Sequence, residues 1–142
     1  MNFNFTACPI GANYRLVDKR CYYYGDVKQS SYNQAETECA GKFPKGGRLF
    51  EPPTLEVNNL VLTASRDVLM HASYYYIGVK RSGSDYKFAS SGISVPFDQS
   101  KWTWISPSSV DVCVFAFKWL GWALDQCGDS YGTNHMVICE SV

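Results

Sequence analysis

Six cysteines, Cys8, Cys21, Cys39, Cys113, Cys127 and Cys139, constrain this 142-residue chain more than any other feature. Their number is even and none is left over. Structural zinc sites usually bring cysteines in close pairs of the C-x-x-C kind. No two cysteines here stand that close, which disfavours a tetrahedral thiolate site. Three disulfides are the better reading, and they place the protein outside the cytosol. The alternative is six buried free thiols in a cytosolic protein. Six cysteines can pair in many ways, so counting alone selects no connectivity.

The length is that of one domain, spanning 1–142. At 46% hydrophobic and 18% charged residues, the chain suits a packed globule rather than a disordered one. No run is long and apolar enough to span a bilayer. Lysine plus arginine number 13, as do aspartate plus glutamate. Such a balance lacks the basic field of a nonspecific nucleic-acid binder and the polybasic stretch of a peripheral membrane protein. Neither nucleic acid nor membrane insertion is expected. The opening Met1-Asn2-Phe3-Asn4-Phe5-Thr6 has no charged n-region and no apolar h-region. A secreted protein with this start would be a mature or excised domain with an added methionine. Asn4-Phe5-Thr6 fits the N-glycosylation triplet, with Asn4 as acceptor.

Arg15-Leu16-Val17, a polar turn at Asp18-Lys19-Arg20 and Cys21-Tyr22-Tyr23-Tyr24 read as a hairpin. Ser30 or Ser31 can cap a helix whose apolar positions Tyr32, Ala35 and Cys39 recur at three and four. It stops at Gly41, Pro44 and Gly46-Gly47. Thr54 can cap a second helix in which Leu60, Val61 and Ala64 keep the helical period. Tyr74 to Val79 is aromatic and β-branched, hence a strand. Tyr86 to Val95 alternates loosely around Ser90-Ser91-Gly92. Ser94 to Ser109 has no period and reads as a long loop, the kind of segment that tends to be functional. Val112 to Phe117 and Met136 to Cys139 are strand-like. The class is α+β: two helices, antiparallel sheets and a long late loop region.

At this point the residues resemble a known family. Cys8-Pro9 to Cys21-Tyr22 is similar to the amino-terminal disulfide hairpin of long-form C-type lectin-like domains. Cys39 followed by Gly47-Arg48-Leu49 resembles the end of that family's first helix. Tyr76-Ile77-Gly78-Val79 resembles its Trp-Ile-Gly-Leu strand, with tyrosine for tryptophan. Gly121-Trp122 ahead of Cys127, and Val137-Ile138-Cys139-Glu140, resemble its closing segment. The resemblance covers Cys8 to Glu140. It implies the disulfides Cys8–Cys21, Cys39–Cys139 and Cys113–Cys127, with the chain ends brought together.

Sugar-binding members of the family hold their sugar through a calcium ion, which takes six to eight oxygen ligands. Their tripeptide of Glu-Pro-Asn or Gln-Pro-Asp aligns with Ser106-Pro107-Ser108, and Pro107 is the candidate for the cis bond that shapes the loop. Asp111 keeps one carboxylate, while Ala123 and Leu124 stand where an Asn-Asp pair is expected. One acid, two hydroxyls and two apolar groups make a poor calcium shell. At a second calcium position Arg81 and Val112 replace acids, and Asp85 is isolated. A slipped alignment would let Asp111 and Asp125 share a weakly held cation. No metal or other cofactor is therefore expected.

The remaining candidates are aromatic. Trp102, Trp104, Phe115, Phe117, Trp119 and Trp122 offer either core support or a platform for a sugar ring or protein. Trp122 and Phe115 are expected to be structural. The expected ligand-binding set is Trp102, Trp104, Ser106, Pro107, Ser108, Asp111 and Trp119. His71 and His135 have no serine or acid at a recognisable catalytic spacing, and the glycine-rich stretches lack a phosphate-loop lysine. No enzyme is expected. The resemblance instead implies a secreted, extracellular recognition module for a glycan or protein, working without the usual calcium. The alternative is a structural or surface-adsorbing domain of the matrix, biomineral or ice-binding kind.

Overall fold

The computed structural model describes residues 8–26, 31–68, 74–98, 103–104, 113–117, 121–125, 127 and 136–142. Strands β1 (Tyr14–Val17) and β2 (Arg20–Asp26) form the opening hairpin. Only Asp18 and Lys19 make the turn, with φ of 50° and 68°. Left-handed backbone at both central residues matches a two-residue turn to the twist of its strands. Arg20 consequently belongs to β2 rather than to the turn.

Helix α1 (Tyr32–Ala40) starts at Ser31, whose hydroxyl accepts the Gln34 N–H at 3.1 Å. Its buried stripe is Tyr32, Ala35 and Cys39. After the short strand β3 (Gly47–Leu49), Thr54 caps α2 (Leu55–Val68), its hydroxyl accepting the Val57 N–H at 3.1 Å. The inward face of α2 differs from the expected one. Asn58, Val61, Leu62 and Ser65 are buried, whereas Leu60 is 42% exposed. Two polar residues can face inward because each has a partner. Asn58 Oδ1 accepts the Trp122 indole N–H at 3.1 Å, and the Ser65 hydroxyl donates to the Leu62 carbonyl at 2.6 Å. A buried polar group that keeps its hydrogen bond costs little.

Six strands follow: β4 (Tyr74–Ser82), β5 (Asp85–Phe88), β6 (Thr103–Trp104), β7 (Cys113–Phe117), β8 (Trp122–Asp125) and β9 (Met136–Ser141). The described strands join in one sheet ordered β1-β2-β9-β4-β7-β8-β6, with β3 added on β9 and β5 on β4. Where antiparallel pairing alone was expected, β4–β9 and β6–β8 are parallel. A parallel neighbour needs a long crossover, and the chain between β4 and β9 supplies one. The short strand β6 lies inside the stretch expected to be loop.

Residues of each central strand alternate between two cores. Tyr75, Ile77 and Val79 of β4, Val114 and Ala116 of β7, Trp122 and Leu124 of β8, and Met136 and Ile138 of β9 pack with Val61 and Leu62 of α2. Tyr76, Cys113, Phe115, Ala123, Val137 and Cys139 face the other way and pack with Tyr32, Ala35 and Cys39 of α1. A sheet covered on both faces explains why these strands read as unbroken apolar runs. The disulfides are those the resemblance implied: Cys8–Cys21, Cys39–Cys139 and Cys113–Cys127. The second ties α1 to β9, and β9 pairs with β2, which sets the opening hairpin beside the last strand. No described helix is long and apolar enough to cross a membrane.

Candidate functional site

Trp102, Ser106, Pro107, Ser108, Asp111, Val112 and Trp119 lie outside the described residues, as do Asn4, His71 and His135. Trp104 and Phe117 are described through their backbone pairing. Trp104 lies in β6, opposite Ala123 of the parallel strand β8, and Phe117 lies opposite Tyr74. β7 and β8 pair antiparallel in the register Cys113↔Asp125, Val114↔Leu124, Phe115↔Ala123 and Ala116↔Trp122. The Cys113–Cys127 bridge locks the same end of this pair.

Both aromatics assigned to support are buried. Trp122 is enclosed in the α2-side core, and Phe115 (9% exposed) in the α1-side core, where its ring meets Tyr74 edge-on at 5.4 Å. Ala123 and Leu124 are also buried, on opposite faces of the sheet. Their side chains fill apolar cores and offer no oxygen. Asp85 makes a local hydrogen bond. Its carboxylate accepts the Ser94 hydroxyl at 2.6 Å and so pins the turn that follows β5. Among the described residues, no three acids, histidines or cysteines gather as a metal site would require.

A polar cluster at the opposite side of the α1 core escaped the sequence reading. Arg48 Nε donates to Glu140 Oε2 at 2.8 Å, and Arg48 Nη1 stands 3.7 Å from Glu51 Oε1. The Glu51 carboxylate accepts both the backbone N–H and the hydroxyl of Ser90, each at 2.8 Å. Arg48, Glu51 and Ser90, together with Glu36, line a small cavity of about 90 Å³. Both Glu51 and Glu140 are buried. The cluster therefore straps β3 to β9 and to the turn after β5. One signal for it was available: Glu140 directly follows a buried half-cystine in an apolar strand, where an acid needs a cation. Tight packing accompanies the strap. A Cβ on Gly78 would lie 2.7 Å from both the Leu49 carbonyl oxygen and Glu51 Cγ. Gly78→Ala is expected to destabilise the fold by about 1–3 kcal/mol, read as a lower denaturation midpoint.

Burial pushes the Glu140 carboxyl above the ordinary carboxylate range, and the Arg48 hydrogen bond offsets only part of this. The folded state thus holds the Glu140 proton more tightly than the unfolded chain does. Stability from this group is full below the unfolded carboxylate value and is lost as pH rises through the folded one. Glu140→Gln removes the titration. Its stability relative to the parent is expected to rise with pH across the weakly acidic range, in urea titrations made at several pH values. A flat difference would contradict the assignment.

No family model matches the sequence, and no curated protein matches it significantly. Solved structures do match. The cow C-type carbohydrate-recognition domain of CD23, solved with a GlcNAc2Man3 oligosaccharide, superposes with a TM-score of 0.64 at 20% identity. The match covers 94% of this chain and 96% of that one. Human lithostathine superposes with a TM-score of 0.70 at 19% identity, over 93% of this chain and 98% of its own. This chain has the C-type lectin-like fold. Ovocleidin-17, a major protein of the Gallus gallus eggshell calcified layer, shares the C-type lectin-like fold too. Its TM-score is 0.65 at 14% identity, over 94% of this chain and 99% of that one. At such identities the likeness carries the fold and leaves the ligand to be argued from the residues.

Proposed function

We propose that this C-type lectin-like domain is an extracellular recognition module that binds a glycan or a protein without the sugar-linked calcium ion. The burial of Ala123 and Leu124 carries this reading. At the two positions that should supply an Asn-Asp pair, the side chains belong to the sheet's two cores. Restoring ligands there would cost core packing and bury polar groups. Ser106 and Ser108 add only hydroxyls, and Asp111 is the one remaining carboxylate of the set. Calcium at useful strength needs more.

The extracellular assignment is supported by the three disulfides, which persist in oxidising surroundings. With no free cysteine, the chain has no thiolate nucleophile, which favours recognition over catalysis. The CD23 domain was solved with an oligosaccharide, so the fold is compatible with a sugar partner. Trp102, Trp104 and Trp119 are the aromatic contacts this reading assigns to such a ring or to a protein side chain.

Glycan and protein arrays, run once with calcium and once with a chelator, test the reading. The same partners are expected in both, and millimolar calcium is expected to leave the melting temperature unchanged. Binding that disappears with chelator, or a clear thermal shift with calcium, would reject it. Trp104→Ala is expected to weaken the captured ligand about tenfold, as loss of an aromatic contact does. Failure to bind any glycan or protein, together with thermal hysteresis or mineral adsorption, would move the domain to the surface-adsorbing class.

A further inference from the structure

Lys80 of β4 and Lys87 of β5 stand directly opposite each other in the antiparallel register. Residues so placed share one face of the sheet, with Cβ atoms about 5 Å apart. That face is the α1 side. Lys80 also lies opposite Cys113, which packs in the α1-side core. Its ammonium sits over the Tyr32 ring of α1, 5.1 Å from the centroid. Tyr32 is fully buried, and its backbone N–H donates to the Cys127 carbonyl at 3.1 Å, so the platform under Lys80 is held in place. Ala89, two residues beyond Lys87, packs against the same core. Both lysines are half-buried, as is Arg81 beside Lys80.

Like charges directly opposite on neighbouring strands repel and weaken the pairing. No ion pair among the described residues relieves either lysine: those present are Lys42–Glu38, Arg48–Glu51 and Arg48–Glu140. Asp85, two residues before Lys87 on the same face, accepts the Ser94 hydroxyl at 2.6 Å. Glu36 of α1 lines the neighbouring cavity with Glu51. An oxyanion between the two ammonium groups would replace one repulsion by two attractions. Each ammonium has three donors that can turn toward it.

We propose that Lys80 and Lys87 clamp a sulfate or carboxylate group of an acidic glycan. The inference rests on the recognition reading above and narrows its ligand class. The extracellular setting makes a glycan, rather than a nucleic acid, the source of the anion. The clamp lies beside Cys113, the residue at which the late segment enters β7. A glycan can therefore present its charged group here and its sugar rings to that segment.

The test is calorimetric titration of the full disulfide-bonded domain, in chelator, with a heparin tetrasaccharide and with a neutral tetrasaccharide of N-acetylglucosamine. Heparin is expected to bind more tightly than the neutral sugar, and to weaken as salt rises. Lys80→Gln and Lys87→Gln should each weaken heparin about tenfold. Lys19→Gln and Lys45→Gln, at exposed lysines of other elements, should leave it unchanged. Lys87→Glu gives Lys80 an opposite charge across the strands, so heparin binding should vanish while the melting temperature of the free protein rises. A variant that merely unfolded would lose both. Heparin binding that survives Lys87→Glu, or that Lys19→Gln and Lys45→Gln weaken equally, would overturn the clamp. Duplex DNA or phosphatidylserine vesicles binding as tightly as heparin would overturn the glycan as its partner. No heparin binding, with a neutral glycan or a protein captured in chelator, would overturn this inference and leave the recognition reading standing. Heparin binding that Lys87→Glu abolishes but that also requires calcium would do the reverse.

Discussion

Replacing Cys39 and Cys139 together by serine is expected to leave the domain largely unfolded at 37 °C. The bridge joins residues 100 positions apart in a 142-residue chain. In the chain-entropy model a loop of that size removes about 4–5 kcal/mol of freedom from the unfolded state. Domains of this size are stable by only about 5–15 kcal/mol in total. The site adds a second loss. Both half-cystines are fully buried, between α1 and β9, so each new serine hydroxyl must find a partner in an apolar core. An unsatisfied buried hydroxyl costs a further 1–3 kcal/mol, roughly. The Cys8–Cys21 pair provides the internal control. It spans 13 residues at the half-buried hairpin, for which the same model gives about 3 kcal/mol. Serine replacements there should lower the urea midpoint while keeping the near-ultraviolet circular dichroism of a packed core. An alanine version of the Cys39/Cys139 pair separates the two losses, since it omits the hydroxyls. If removing the long bridge lowered the midpoint less than removing the hairpin bridge, the entropic account of this fold would be wrong.

Much of the framework was legible because its signals are local. Ser31 and Thr54 announce their helices by the hydroxyls that the first helical N–H groups need. Tyr74 to Val79, Val112 to Phe117 and Met136 to Cys139 announce buried strands by unbroken apolar runs. What stayed hidden depends on partners distant in sequence. β3 and β6 are three and two residues long, too short to show a period, and exist because β9 and β8 lie beside them. The parallel direction of β4 against β9 is a property of the crossover and of no single residue. Asn58 and Ser65 broke the apolar stripe of α2, because a polar residue reads as exposed until its buried partner is known. Arg48 and Glu140, 92 positions apart, meet only in the fold. The candidate site divides in the same way. Ala123 and Leu124 could be placed by counting from Trp122, since β8 is a strand of fixed register. The residues of the late loop follow no period, so residue type was the whole of their signal.

Trp122 links that framework to the expected ligand end, and its removal is the second large effect. The side chain is fully buried, beside Tyr86 at 6.0 Å and Phe97 at 5.9 Å between ring centres. Trp122→Ala empties this space and is expected to cost about 3–5 kcal/mol. It also strips Asn58 Oδ1 of its donor, for roughly another 1–3 kcal/mol. Trp122→Phe keeps most of the volume and isolates the second loss. Combining Trp122→Phe with Asn58→Leu removes both members of the buried polar pair, so part of the stability should return. Urea titrations should thus rank Trp122→Ala below Trp122→Phe, and Trp122→Phe below the double variant. A double variant less stable than Trp122→Phe would show that the indole–amide bond is not what Asn58 contributes. The same series addresses function. Fully buried, Trp122 can reach a ligand only through β8 and the strands beside it. Affinity should therefore follow stability along the series, with the double variant binding nearly as the parent does. A stable double variant that binds nothing would instead make the indole a direct contact.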